Sequence, residues 1–139
     1  DILYTAVGSY GHAALVETDQ RFSFQRHIAF IQPDQSTVNP RYLVSVLNST
    51  LCRTQADRFA IGNAQLTVTL GDLGKFMIPT PPLHEQQKIS KAIRAVTSNI
   101  HEHETKLDSL LDAKKALMQD LLTGKVRVNV EKEALLHVK

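Results

Sequence analysis

Apolar side chains recur in two rhythms along this chain, and the rhythm changes at Thr80-Pro81-Pro82. Ahead of that point the segments are short. Ile2–Val7 reads as a strand, Gly8-Ser9-Tyr10-Gly11 supplies a turn, and residues 14–17 predict a returning strand. Residues 18–21 are polar and turn-like. Residues 25–31 predict a further strand, closed by Pro33-Asp34-Gln35-Ser36. Pro40 stands where a helix would begin, with Asn39 as its N-cap. Tyr42, Leu43, Val46, Leu47 and Leu51 then follow helical spacing, which predicts one helix from Pro40 to about Arg58. Gly62-Asn63 breaks the chain, and residues 75–79 read as a short strand leading to the proline pair.

Beyond the proline pair the pattern predicts a single helix from about Leu83 to Thr123. Its apolar positions are Ile89, Ile93, Val96, Ile100, Leu107, Leu110, Leu117 and Leu121. Their steps of four and three make the heptad seam of a coiled coil, with His103 and Lys114 as polar seam positions and Leu111 and Met118 beside it. About 41 residues at ~1.5 Å each would make a rod of about 60 Å. A globular part of some 80 residues is too small to cover such a stripe, so the surplus calls for a partner helix. The competing reading folds the helix back on its own domain. Gly124 suits the position after the helix end, with Lys125 and Arg127 near its negative pole. Val126, Val128 and Val130 alternate as a short terminal strand would. The expected architecture is therefore α+β: a mixed α/β part over 1–80, a long helix and cap over 81–128, and a tail over 129–139.

Composition narrows this picture. The 139 residues are 42% hydrophobic and 22% charged, ordinary for one soluble domain with an appendage. No apolar run approaches the roughly 18–20 residues that span a bilayer. Cys52, the only cysteine, excludes an internal disulfide framework and a cysteine-rich zinc site. It reads as a small core residue in a reducing, cytoplasmic setting. The chain opens on Asp1-Ile2-Leu3-Tyr4, without a methionine, as expected of a truncated or proteolysed piece of a longer protein. Net charge is +2. Residues 1–79 balance six basic against six acidic side chains, so the first part lacks the strong positive footprint of an independent nucleic-acid binder.

Catalytic and metal motifs are missing. His101 and His103 lie two apart and do not share a helix face; with His12, His27, His84 and His137 they never form a His-Glu-x-x-His spacing. Gly8–Gly11 lacks the Gly-Lys-Ser/Thr of a phosphate loop, and Ser9 lies outside a Gly-x-Ser-x-Gly elbow. Asn39-Pro40 is followed by Arg41-Tyr42, not by the Pro-Tyr or Pro-Phe of a methyltransferase signature. Neither an enzyme nor a cofactor is expected.

The strongest local signal is Ile78-Pro79-Thr80-Pro81-Pro82-Leu83-His84-Glu85-Gln86. In physical terms it is an extended segment, a stiff elbow and a helix start with an acid in its first turn. It resembles the start of the long helix in specificity subunits of type I restriction-modification enzymes, where a proline pair and a leucine precede Glu-Gln after one variable residue. Leu121-Leu122-Thr123-Gly124-Lys125 resembles that helix's usual ending. Gly62-Asn63-Ala64-Gln65 and Leu70-Gly71-Asp72-Leu73 look like the end of a target recognition domain. Asp1-Ile2-Leu3, the Gly8–Gly11 turn and Gln25-Arg26-His27-Ile28-Ala29 look like its central strands. The ordered set covers about residues 1–128. The resemblance implies a partial target recognition domain followed by a coiled-coil helix. It implies a non-catalytic DNA-recognition component, with the helix spacing recognition domains and docking methyltransferase (modification) subunits. A restriction subunit would join indirectly. An intact family member carries two such repeats; this chain carries one, and its recognition domain lacks the usual first portion. An antiparallel homodimer through the exposed seam is the natural expectation.

Candidate contacts to double-stranded DNA are loop residues with hydrogen-bonding side chains: Tyr10, His12, Arg21, Arg26, Asn63, Gln65 and Thr67. Asn63 and Gln65 would either read adenine edges or supply ordinary turn polarity. Arg53 and Arg58 would contact phosphate or simply form a solvated helix face, and Lys114 and Lys115 read as helix-surface charges. The alternative function is a coiled-coil interaction module that binds no DNA of its own.

Overall fold

The computed structural model describes residues 1–127. Three strands, β1 (Ile2–Thr5), β2 (Ala13–Leu15) and β3 (Ile28–Ile31), form an antiparallel sheet in the order β2-β1-β3. Four helices follow: α1 (Pro40–Leu47), α2 (Thr50–Phe59), α3 (Leu70–Leu73) and α4 (Leu83–Leu122). The class is α+β, with one long helix. Period-two alternation places Ile2 and Tyr4 of β1 on one face, where both are buried. Leu43 and Leu47 of α1 and Cys52 and Ala56 of α2 join them in the core. Tyr4 meets Phe76 edge-on at 6.4 Å between ring centroids, and Phe76 stacks on Phe59 at 6.1 Å.

The expected single helix from Pro40 to about Arg58 is two helices. The break falls at Asn48-Ser49: Asn48 is still helical, Ser49 turns extended at ψ 162°, and the Asn48 side chain is engaged across the fold. Its Oδ1 accepts from the Ala13 N–H at 2.8 Å and its Nδ2 donates to the Ala13 carbonyl at 2.9 Å. The chain end of α1 is thereby fastened to the start of β2, and Ser49 opens α2 in an extended conformation. Asn39 caps α1 as expected, accepting from the Tyr42 N–H at 3.1 Å.

The strand expected over residues 75–79 does not form. Met77 pairs with a side chain instead: its N–H donates to Gln55 Oε1 at 2.7 Å, and Gln55 Nε2 donates to its carbonyl at 3.0 Å. One amide thus replaces a neighbouring strand. Just before it, Thr69 caps the single turn of α3 by accepting from the Asp72 N–H at 3.1 Å, an element the pattern had not suggested.

The long helix agrees with the expected span to within a residue. Gly124 follows it with φ of 73°, and the Val126 N–H returns to the Asp120 carbonyl at 3.0 Å. The terminal strand expected from Val128 and Val130 lies outside the described residues. The chain divides into two compact units, the first running from Asp1 to Ala95 and the second beginning at Val96. The first unit extends past the proline pair because Gln86 ties the opening turn of α4 into it. Gln86 is fully buried; its Oε1 accepts from the Asn39 N–H at 2.8 Å, and its Nε2 donates to the carbonyls of Thr37 at 3.0 Å and Pro81 at 2.7 Å. Tyr42 adds a hydroxyl bond to the Pro79 carbonyl at 2.8 Å. The elbow is held on both sides by α1.

Candidate nucleic-acid interface

Three segments meet at one end of the sheet. The chain continuing from β1 is flanked by residues 26–27 and by the loop over 61–68. The Ala6 N–H donates to the His27 carbonyl and the Ala6 carbonyl accepts from Val68, each at 2.9 Å. The Gly8 N–H reaches the Leu66 carbonyl at 2.9 Å, and Thr67 forms bridges with both Val7 and Ile61. The 61–67 loop closes on itself through reciprocal Ile61 and Thr67 backbone bonds of 3.0 and 2.8 Å. Gly62 makes that closure possible, since at φ 125° an added Cβ would strike the Gln65 carbonyl.

Six of the seven expected DNA contacts fall in these meeting segments, and Arg21 lies just ahead of them in the β2–β3 connection. His12, Arg21, Arg26, Asn63 and Gln65 are exposed, and Thr67 is half-buried. Among the described residues neither Arg21 nor Arg26 forms an ion pair, so both guanidinium groups face solvent uncommitted. The Gln65 side chain passes close over Gly8, and Asn63 stands beside Gly62 at the loop tip.

Tyr10 is placed differently. It is only 6% exposed, and its hydroxyl donates to Asp57 Oδ1 at 2.8 Å. Arg53 lies over its ring at 4.8 Å, donates to its carbonyl at 2.9 Å, and pairs with Asp57 at 3.1 Å. These bonds lock the β1–β2 turn against α2. The Asp57 hydrogen bond, with some desolvation, holds the Tyr10 phenol above its usual range. Arg53 therefore serves the turn internally, while Arg58 remains exposed on α2.

A row of exposed rings lies outside the residues expected from the hydrophobic pattern. Phe22, Phe24 and Phe30 are 51%, 45% and 47% exposed, with successive centroids 6.4 and 6.1 Å apart. The signal was present in Arg21-Phe22-Ser23-Phe24-Gln25-Arg26, where two aromatics sit between two arginines. Phe24, Arg26, Phe30 and Thr67 line an open pocket of about 460 Å³. Chemically this end of the unit offers guanidinium groups for phosphate or guanine, amides for adenine, and flat apolar surface for thymine methyls. Its buried Cys52 thiol is pushed up by desolvation, as in an inert core cysteine. Among the described residues no cluster of histidine, cysteine and acidic side chains could hold a metal ion, and no helix is long and apolar enough to cross a membrane.

The seam positions on α4 differ in setting. Ile89 is half-buried within the first unit. Val96, Ile100, Leu107, Leu110, Leu117 and Leu121 remain 40–60% exposed, and Leu111 and Met118 widen the stripe.

A family described as type I restriction modification DNA specificity domain matches residues 1–112. The type I restriction enzyme EcoBI specificity subunit of Escherichia coli is 27% identical over 127 residues, which is 91% of this chain and 27% of that protein. The MjaVIII specificity subunit of Methanocaldococcus jannaschii is 28% identical over 105 residues, 76% of this chain and 24% of that protein. A putative MjaX specificity subunit from the same organism is 41% identical over 61 residues, 44% of this chain and 14% of that protein. The chain thus spans about a quarter, or less, of the length of these relatives.

Proposed function

The chain belongs to the type I restriction modification DNA specificity domain family, and on that premise we propose that it is a non-catalytic DNA sequence-recognition part of such a system. The observation that carries this reading is the convergence of His12, Arg26, Asn63, Gln65 and Thr67 at one end of the sheet, in a chain whose family match runs from β1 well into α4. In this reading the loop end contacts double-stranded DNA, with Arg21 and Arg26 on phosphate and Asn63 and Gln65 at base edges. The long helix sets the spacing between recognition domains and docks methyltransferase subunits. A restriction subunit joins through that assembly, and the whole works on DNA in the cytoplasm. The exposed seam from Val96 to Leu121 supports the helix role, because a stripe this apolar calls for a helical partner. An antiparallel second copy of this chain is the partner proposed for the stripe when the chain is on its own.

Co-purification with the methyltransferase subunit of the same system, with and without duplex DNA, tests the proposal. Stable association is the expected result, strengthened by DNA in a salt-dependent way. A folded, dimeric chain that neither associates nor binds DNA would instead be the self-pairing interaction module, a reading that the balanced charge of the first part favours.

A further inference from the structure

The second compact unit begins at Val96, and from there to Leu121 eight seam positions follow in heptad steps: Val96, Ile100, His103, Leu107, Leu110, Lys114, Leu117 and Leu121. All are exposed. Read in either direction, their character is the same: two apolar, one polar, two apolar, one polar, two apolar. The midpoint lies between Asp108 and Ser109. A pattern symmetric about its own centre is complementary to an antiparallel copy of itself. Building on the pairing reading above, we infer that α4 binds a second copy of this chain in one register, fixed by His103 of each chain facing Lys114 of the other. In that register Val96 faces Leu121, Ile100 faces Leu117 and Leu107 faces Leu110, so every apolar position meets an apolar one.

Neighbouring registers are worse. Antiparallel core layers join a and d positions, so the helices can slip only by whole heptads. One slip sets Lys114 against Val96 and His103 against Leu107. The segment then facing the lysine, residues 91–101, holds Lys91 and Arg94 and no carboxylate. The opposite slip sets His103 against Leu121 and Lys114 against Leu110. Each slip leaves both polar side chains of each chain pressed on apolar partners, where their hydrogen-bonding groups lose water without replacement. In the favoured register the lysine shares a layer with an imidazole and comes level with Glu104, the residue after His103. A parallel pair would set Lys114 directly against its own copy. The two polar positions thus act as register markers, a role attested for single polar residues in coiled-coil seams.

Disulfide trapping of mixed chains tests this. Sedimentation of the unaltered chain at tens of micromolar first establishes its mass. Leu107→Cys chains are then co-refolded with Leu110→Cys chains, and separately with His103→Cys chains, and each mixture is mildly oxidised. Cross-linked peptides are mapped by mass spectrometry, which sets aside the native Cys52, itself 1% exposed. The expected result is a covalent heterodimer from the 107 and 110 mixture and only background from the 107 and 103 mixture. Adding Lys114→Ile to both chains should raise the second yield to match the first, since either register then leaves only the one remaining His103 of that pair, on an apolar partner. Equal yields in the unaltered background, the reverse preference, or cross-linking of Leu107→Cys chains with themselves would overturn the register. A monomer in sedimentation would overturn the pairing itself, and the DNA-recognition reading would stand or fall separately on the methyltransferase experiment.

Discussion

Three tyrosines in the first unit occupy three different hydrogen-bonding situations. Tyr10 donates to Asp57 and Tyr42 to the Pro79 carbonyl, whereas the buried Tyr4 hydroxyl finds no partner among the described residues. Removing a hydroxyl should therefore have opposite consequences. Tyr42→Phe should lower stability by about 1 kcal/mol, the net worth of a typical hydrogen bond, and Tyr10→Phe should also lower it. Tyr4→Phe should leave the urea midpoint unchanged or raise it, since it removes a desolvated group with nothing to bond. All three phenols are held above their ordinary value of 10.0, Tyr4 and Tyr42 mainly by desolvation and Tyr10 mainly by its bond to Asp57. Cys52 is raised above 9.0 by desolvation. A raised folded-state value means that the folded chain keeps its proton more tightly. The resulting stability is complete below the unfolded values and is lost as pH climbs through the folded ones. Stability should thus begin to fall above about pH 9 and decline more steeply beyond pH 10, with the tyrosinate absorbance appearing together with unfolding in a pH titration.

Among single residues, Gln86 is the one whose loss should be felt furthest. It satisfies the Asn39 N–H and two carbonyls from complete burial, and it does so at the junction of α1, the proline pair and α4. Gln86→Leu keeps the volume but strands those groups. We expect a loss of roughly 2–4 kcal/mol in urea unfolding of the first unit, larger than for exposed Gln87→Leu next to it. A midpoint shift no greater than that of the neighbour would show that water replaces the amide without cost.

At the scale of elements, the outcome turned on where the deciding bond lay. The strands and α4 were legible because their signals are local and periodic: alternation in Ile2–Thr5, heptad steps in α4, Gly124 at its end. The split between α1 and α2 was not, because helical spacing runs unbroken from Tyr42 to Leu51, while Asn48 is claimed by Ala13, which lies 35 residues earlier. Residues 75–79 carry a strand's apolar pattern without forming one for a similar reason, since Gln55, 22 residues away, takes the place of a neighbouring strand. Single patterns cannot carry such pairings. Asn48→Ala tests the first of them directly. It restores a good helix former at the break, so local propensity alone would favour a continuous helix. The loss of two bonds to Ala13 should dominate, lowering stability by about 1 kcal/mol and loosening the start of β2 in amide exchange.

For the whole molecule, the proposed DNA contacts could be named from sequence only as loop chemistry. Their convergence required β1, residues 26–27 and residues 61–68 to pair over long separations, and Tyr10 shows how loop chemistry misleads when a side chain turns inward to Asp57. If the loop end meets DNA as proposed, its two kinds of side chain should separate experimentally. Arg21→Ala and Arg26→Ala remove charge from a chain whose first part is electrically balanced, so every guanidinium that meets a phosphate matters. Binding should weaken about equally on all sequences, and the slope of log affinity against log salt should fall by about 1 for each arginine replaced. Asn63→Ala and Gln65→Ala leave the charge unchanged. They should keep the salt slope and narrow the gap between the preferred site and its single-base variants, by roughly 1–3 kcal/mol where a bidentate amide–base pair is broken. The measurement belongs in the full-length protein, assembled with the methyltransferase subunits that the proposal gives it. Should the arginine variants relax sequence preference while the amide variants change only overall affinity, the assignment of the two side-chain types within the loop end would be inverted. Should neither pair matter, DNA would enter by another face, and the Phe22, Phe24 and Phe30 row would have to be explained as packing surface.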